Sequence, residues 1–272
     1  MTTDEKLTAI LNAIQSDPGN RGLARDPNDN LLTATAGDFQ QACRDIAGRR
    51  DPVLTLFTGF FVNSATPPSF ETDGPLGVCF MKRAFAHLGI ACREIGEAAV
   101  CRSIAAGCGA DPEFREVPIP RTGSSHMICI ERSGPAADGK HYTMRGRDVT
   151  VHHPCARLFN DSLRQAEIVS IGIGDGGNEI GMGKIPHETI EKNIPNGDLI
   201  HCRVPTDYLI VAGVSNWGAY ALTAGVYVLR GISPSAALFN PNREREILEV
   251  MVREGPLVDG VTGRQTATVD GL

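Results

Sequence analysis

Four short stretches of this 272-residue chain combine glycine with acidic or amide side chains, the residue types that move protons and hold small polar ligands. The densest is Gly172-Ile173-Gly174-Asp175-Gly176-Gly177-Asn178-Glu179-Ile180-Gly181-Met182-Gly183, six glycines in twelve residues. Glycine lets a backbone come close to a ligand, so Gly176 and Asn178 are candidate binding residues and Asp175 and Glu179 candidate acids or bases. The stretch satisfies a dinucleotide-type G-x-G-x-x-G at Gly172, Gly174 and Gly177. Asp175 and Glu179 would repel a pyrophosphate, however, and the next segment ends in Arg203-Val204 without the acid that a ribose requires.

The second stretch, Glu71-Thr72-Asp73-Gly74-Pro75, follows the loop from Asn63 and the apolar run that ends in Thr58-Gly59. Asp73 could simply cap a helix, but Glu71 beside it after a long loop makes the pair a catalytic candidate. Thr58 and Gly59 are candidate substrate contacts. The third runs from Glu131-Arg132-Ser133-Gly134 through Asp138-Gly139 to Tyr142, Met144, Arg145 and Asp148. Arg145 suits a carboxylate because a guanidinium binds one through two parallel bonds, and Asp138 could meet an amine. The fourth, Val214-Ser215-Asn216-Trp217, reads as a helix start whose free N–H groups can receive a ligand carboxylate. Gly174-Asp175-Gly176 is also similar to the magnesium-binding turn of haloacid-dehalogenase-like phosphatases, but the nucleophilic Asp-x-Asp of those enzymes occurs nowhere in the chain.

The elements that must position these stretches alternate between two hydrophobic periods. Strands are expected at Val53 to Thr58, Ile90 to Ile95, Phe114 to Val117, Met127 to Glu131, Ile168 to Ile173, Leu199 to Val204 and Tyr208 to Val211. Helices are expected from Thr2 to the Pro18-Gly19 stop, at Asp38 to Ala47, from Pro75 to Gly89, at Glu97 to Ala106, Pro154 to Gln165 and Pro186 to Lys192, from about Trp217, and at Pro241 to Arg253. Tyr208 to Leu229 is apolar and long enough to span a bilayer, but Ser215-Asn216 breaks it into a strand and a helix. Alternating strands and helices imply an α/β fold, a mostly parallel sheet with helices on both faces in a Rossmann-like three-layer architecture. Without repeat or linker, residues 1–272 read as a single α/β domain. In such sheets ligands bind beyond the carboxyl ends of the strands, where all four stretches fall.

A net charge of −6 argues against nucleic acid or an anionic membrane as partner. The eight cysteines include no C-x-x-C and read as reduced, buried thiols. The start, with Asp4 and Glu5, lacks the form of a signal peptide, so a cytoplasmic location is expected. His152, His153 and His187 belong to no recognisable nucleophile constellation and read as surface or structural.

Taken together, ETDGPLG at 71–77, ERSGPAADGKHYTMRGRD at 131–148, GIGDGGNEIGMGK at 172–184, SNWGAYAL at 215–222 and VDGVTG at 258–263 resemble the D-glutamate cyclase family, specifically the carboxy-terminal domain of the mitochondrial enzyme and its stand-alone microbial relatives. The resemblance implies a lyase that converts D-glutamate to 5-oxo-D-proline with loss of water. Chemistry then asks for a base for the ammonium, donors or a cation for the developing oxyanion, and an acid for the departing hydroxide. Asp175 and Glu179 are the candidates for the proton transfers, with Glu71 or Asp73 opposing them. Arg145, Ser215 and Asn216 would hold carboxylates. Ring closure is intramolecular, so no cofactor is required, although Asp73 and Asp175 could bind Mg²⁺ or Mn²⁺. The expected partner is a small molecule, D-glutamate or a related acidic amino acid, and a homo-oligomer is compatible with the sequence. Two other readings stand beside the cyclase: a metal-dependent phosphohydrolase and a non-enzymatic binding domain for small acidic metabolites.

Overall fold

The computed structural model of the chain describes residues 1–118, 123–154 and 168–272. Five parallel strands form one sheet in the order β4-β1-β5-β6-β7: β1 (Val53–Gly59), β4 (Ala91–Ile95), β5 (His126–Arg132), β6 (Val169–Gly174) and β7 (Tyr208–Val211). A small antiparallel pair, β2 (Phe61–Val62) and β3 (Ser69–Phe70), lies in the loop after β1. Strand order reverses between β1 and β5, because the chain steps outward to β4 and then returns past β1. That reversal opens a crevice at the carboxyl ends of β1 and β5, the usual ligand position in open α/β sheets.

Alternate strand residues face two different cores. Leu54, Leu56, Ile128, Ile130, Ile171 and Ile173 point into the larger one, with α1 (Thr3–Ile14), α3 (Asp38–Gly48), α4 (Pro75–His87), α5 (Ala98–Gly109), α8 (Ser215–Arg230) and α9 (Pro241–Glu254). Phe57, Met127 and Cys129 point the other way, against Ile180 of the Gly-rich turn. The turn and the short helices α2 (Leu31–Ala34), α6 (His187–Asn193) and α7 (Gly197–Ile200) cover the rest of that face through Met182, Ile185, Ile190, Ile194, Ile200 and Cys202. The protein is therefore a three-layer α/β fold. Tyr208 to Arg230 divides into β7 and α8, and no described helix is long and apolar enough to cross a membrane.

Two expected strands are corrected. Phe114 to Val117 is irregular: Phe114 and Val117 are only half-buried, Arg115 turns back to the Pro112 and Phe114 carbonyls, and Glu116 reaches Lys82 instead of a strand neighbour. Leu199 to Val204 does not enter the sheet either. The helix α7 takes up Gly197–Ile200, and the extended residues after it pair with the Gly-rich turn, Cys202 N–H to Gly177 C=O at 3.0 Å and Gly181 N–H to Val204 C=O at 2.9 Å. β6 pairs directly with β7, which leaves no slot between them. The helix expected at Pro154 to Gln165 lies almost wholly outside the described residues. All seven described cysteines are free thiols, and six of them are buried.

Candidate functional site

At the end of β5 the pairing with β1 slips by one residue: Thr58 lies opposite Ile130, but Gly59 opposite Arg132. Glu131 is the extra residue, at φ +43° in the left-handed region that side chains avoid. Such bulges re-aim a side chain at the rim of a sheet. Arg132, wholly buried, locks this one in place. Its guanidinium grips Glu97 in two bonds of 2.6 and 2.9 Å and donates to the carbonyls of Thr58 and Gly59 at 3.2 Å. Glu131 is thereby turned into the crevice, where its Oε2 accepts the hydroxyl of Ser215 at 2.6 Å.

Two helices start at this crevice and cap each other crosswise. The carboxylate of Asp73, just before α4, accepts the N–H groups of Ser215 (2.9 Å) and Asn216 (2.7 Å) at the start of α8. The amide oxygen of Asn216 accepts the N–H groups of Gly74 (2.9 Å) and Gly77 (2.7 Å) at the start of α4. Both positive helix ends therefore point at one carboxylate, which eases its burial. Asp73 does cap a helix, but the distant one. The N–H groups of Ser215 and Asn216 expected to receive a substrate carboxylate are occupied by a protein one.

The Gly-rich turn after β6 closes on itself. Glu179 Oε1 accepts the N–H of Asp175 at 3.0 Å and Oε2 that of Gly177 at 2.7 Å, so this acid staples the turn. A Cβ on Gly172 would come within 2.8 Å of the Gly181 Cα, so these two glycines serve backbone packing rather than approach to a ligand. Asp175 is then held over the crevice. Asn178 donates to the Tyr142 carbonyl at 2.7 Å, and its Oδ1 has no partner among the described residues.

Two further charged residues come from the ends of the chain. Asp17 ties down the loop after α1 by accepting the N–H groups of Arg21, Gly22 and Leu23, and Arg21 reaches Asp270 at 2.8 Å and Asp175 at 3.5 Å. Asp259 ties the carboxy-terminal segment through Val261, Thr262 and Gly271, which brings Asp270 to the crevice. Gly260 packs so closely on Glu71 that a Cβ would lie 2.0 Å from Glu71 Oε2, giving the VDGVTG motif its place beside the site.

The result is a cavity of about 140 Å³ whose charged lining is Arg21, Glu71, Glu131, Arg145, Arg147, Asp175 and Asp270, with Asn178 beside them and Phe60, Phe61 and Met144 as apolar walls. That suits a metabolite smaller than the drug-sized ligands of roughly 300–1,000 Å³ pockets. A larger apolar groove of about 600 Å³ between α4, α8 and α9 carries no convergent polar groups from these stretches.

Burial, with negative neighbours added, pushes the carboxyls of Glu71 and Glu131 well above the ordinary range. Burial likewise raises Asp175, against the pull of Arg21, and raises Asp73 to about 7 despite its N–H partners. Burial opposes the charge of Arg21, but Asp175 and Asp270 beside it outweigh that and raise its affinity for the proton. Carboxyls with a raised affinity for protons are what acid–base chemistry requires.

The tertiary structure thus gathers Glu71, Arg145, Asp175 and Asn178 on the cavity lining, with Asp73, Gly176, Glu179, Ser215 and Asn216 supporting it. Thr58 and Gly59 lie deeper, Thr58 beneath Gly74 and Gly59 against Arg132. Asp138 is corrected: it sits in an exposed turn, bonded to Tyr142 Oη and Lys140 N–H, away from the cavity. Arg21 and Asp270 were missed, as was the role of Glu131. Only Glu131, an acid at the carboxyl end of a strand, left a signal that sequence reading could use.

The sequence model of the family described as D-glutamate cyclase-like, C-terminal, matches residues 10–272. The chain belongs to this family. It is 30% identical over 318 aligned residues to human mitochondrial D-glutamate cyclase, an alignment that covers all of this chain and 50% of that protein. The chain therefore spans half the length of its human relative. Among solved structures, the sugar isomerase domain of the RpiR transcription factor from Sphaerobacter thermophilus is 16% identical with a TM-score of 0.31, over 85% of this chain and 92% of that one. A likeness that low has no bearing on the site. The family match includes Arg21 and Asp270, so every charged group at the crevice lies within it.

Proposed function

We propose that the chain is a lyase that closes D-glutamate to 5-oxo-D-proline. The observation that carries this reading is the convergence of Glu71, Glu131 and Asp175, all buried carboxyls with raised proton affinity, on a small cavity bordered by Arg145 and Arg147. The reaction forms one N–C bond, breaks one C–O bond and moves two ammonium protons to the departing oxygen, which leaves as water. Substrate and product carry the same net charge, so the protein need only relay protons.

Glu71 is suited to that relay. Among the described residues no side chain hydrogen-bonds its oxygens, and burial, with Asp270 and Asp73 nearby, raises its affinity for the proton that such a relay must take up and release. The exposed guanidinium groups of Arg145 and Arg147 form no ion pair among the described residues and can hold the substrate's α-carboxylate. A cavity this small keeps the chain of the substrate folded with amine near carboxyl, and such preorganisation can remove on the order of 7 kcal/mol of an intramolecular barrier. The nucleophilic Asp-x-Asp of haloacid-dehalogenase-like phosphatases is absent from the sequence, which disfavours a phosphohydrolase.

The test is incubation of purified protein with D- or L-glutamate, with and without divalent metal, followed by chromatographic detection of 5-oxoproline. Product from D-glutamate that disappears in Glu71→Gln is expected. Absence of product from either enantiomer under every condition sinks the proposal, and ligand-induced thermal stabilisation without product would leave a binding domain.

A further inference from the structure

We propose that Glu131, Asp175 and Glu179, completed by the amide oxygen of Asn178, bind a divalent cation of the Mg²⁺ or Mn²⁺ class. One oxygen from each of the three carboxylates lies within 4.8 Å of the others, and all three residues are buried. The donors are all oxygen, the set that hard divalent cations take and that zinc or copper sites, rich in His and Cys, do not.

The independent sign is Asn178. It is 1% exposed, and its Nδ2 is committed to the Tyr142 carbonyl, which orients Oδ1 as an acceptor with no donor. Asp175 Oδ2 has no hydrogen bond either; its nearest cation is Arg21 at 3.5 Å. The Asn178 oxygen, a buried acceptor with no partner among the described residues, calls for a positive ligand. Space for one is kept by Gly176, where a Cβ would lie 3.0 Å from Asn178 Oδ1 and 3.1 Å from Glu179 Oε1. The carboxylates are also oriented from behind, Glu131 by the Ser215 hydroxyl and Glu179 by two backbone N–H groups, as metal ligands generally are.

A second trio, Asp73, Asp175 and Asp270, has comparable spacing. Arg21 already sits on Asp175 and Asp270 there, and three N–H groups point at Asp73, so a further cation would meet positive charge. In the Glu131 trio only the Asp175 corner meets Arg21, and Glu131 and Glu179 form no ion pair among the described residues.

The proposal rests on the geometry of the carboxylates and not on the cyclisation, so the two fail separately. The test is titration of the full chain, without substrate, with Mn²⁺, reading the free-ion signal by electron paramagnetic resonance and displacing it with Mg²⁺. One saturable site per chain is expected. Asp175→Asn should weaken it at least 100-fold and Asn178→Ala about 10-fold, while exposed Asp198→Asn leaves it unchanged. Thermal melts separate a lost site from a lost fold: Asp175→Asn should melt cooperatively but gain no stability from Mn²⁺. Absence of saturable binding at millimolar Mn²⁺, or binding unaffected by Asp175→Asn and Asn178→Ala, overturns the proposal. Cyclisation by metal-free protein that binds no Mn²⁺ would sink this proposal alone, and Mn²⁺ binding without 5-oxoproline formation would sink the cyclase reading alone.

Discussion

Replacing Asn216 by Ala tests whether the crossed helix caps build the site. Its amide oxygen serves Gly74 N–H at 2.9 Å and Gly77 N–H at 2.7 Å, and the side chain is 2% exposed, so no bulk water stands ready to substitute. Gly74 N–H keeps a second acceptor in Asp73 at 3.0 Å, but Gly77 N–H loses its side-chain partner. An orphaned buried donor costs about 1–3 kcal/mol, and loss of a helix cap about 1 kcal/mol. These figures overlap in part, so Asn216→Ala should lower unfolding stability by about 2–3 kcal/mol. Urea unfolding followed by circular dichroism measures it. Loosening the start of α4 also frees Asp73, which holds the start of α8 and with it Ser215 and the bond to Glu131. Glutamate cyclisation should therefore fall further than the folded fraction does, at temperatures where the variant is still native. A stability change below about 0.5 kcal/mol with activity retained would refute the crossed caps as the device that positions these carboxyls.

Other consequences follow from the same geometry. Arg132→Leu leaves Glu97 buried without its partner and should cost about 3–5 kcal/mol, while the double variant with Glu97→Leu recovers much of it; a denaturant double-mutant cycle checks both. His153 is buried among Phe60, Phe70 and His141, its ring nitrogens without a partner among the described residues, and burial, then nearby Arg132, pushes its pKa down to about 2. The unfolded chain therefore binds the proton first, so stability is whole above the unfolded pKa and falls by about 1.4 kcal/mol per pH unit below it. His153→Phe should flatten the stability–pH curve between pH 6.5 and 4.5 by one proton relative to the parent; an unchanged slope would contradict the buried neutral imidazole. In Gly172→Ala the new Cβ would lie 2.7 Å from the Ile180 carbonyl, and overpacking of this kind costs about 1–3 kcal/mol. Arg145→Gln should raise KM for glutamate with little change in kcat, and the reverse pattern would place Arg145 on the reacting carboxyl.

The parts legible in the chain are those set by local chemistry. The capping box of Thr2 and Glu5 forms as read, Asn240 caps α9, and the apolar run from Tyr208 splits at Ser215 into strand and helix. Five of the seven expected strands form, because a buried parallel strand declares itself as an apolar run whatever its neighbours. The Gly-acid stretches mark the carboxyl ends of strands for the same reason: tight turns need glycine, and the site lies where those turns are.

The tertiary structure decided which of the acids face the cavity and how each is held. Asp73, promising from its neighbours, spends its oxygens on backbone N–H groups and Glu179 is oriented by two of them, whereas Glu131 is turned inward by a bulge that depends on Arg132 gripping β1 and Glu97. Arg21 and Asp270, 249 residues apart, meet only because Asp17 and Asp259 fold two terminal segments over the sheet. Sequence records what a side chain can do; which protons and charges surround it is set by segments brought together from across the chain, and burial there, more than residue type, is what raises the affinity of these carboxyls for protons.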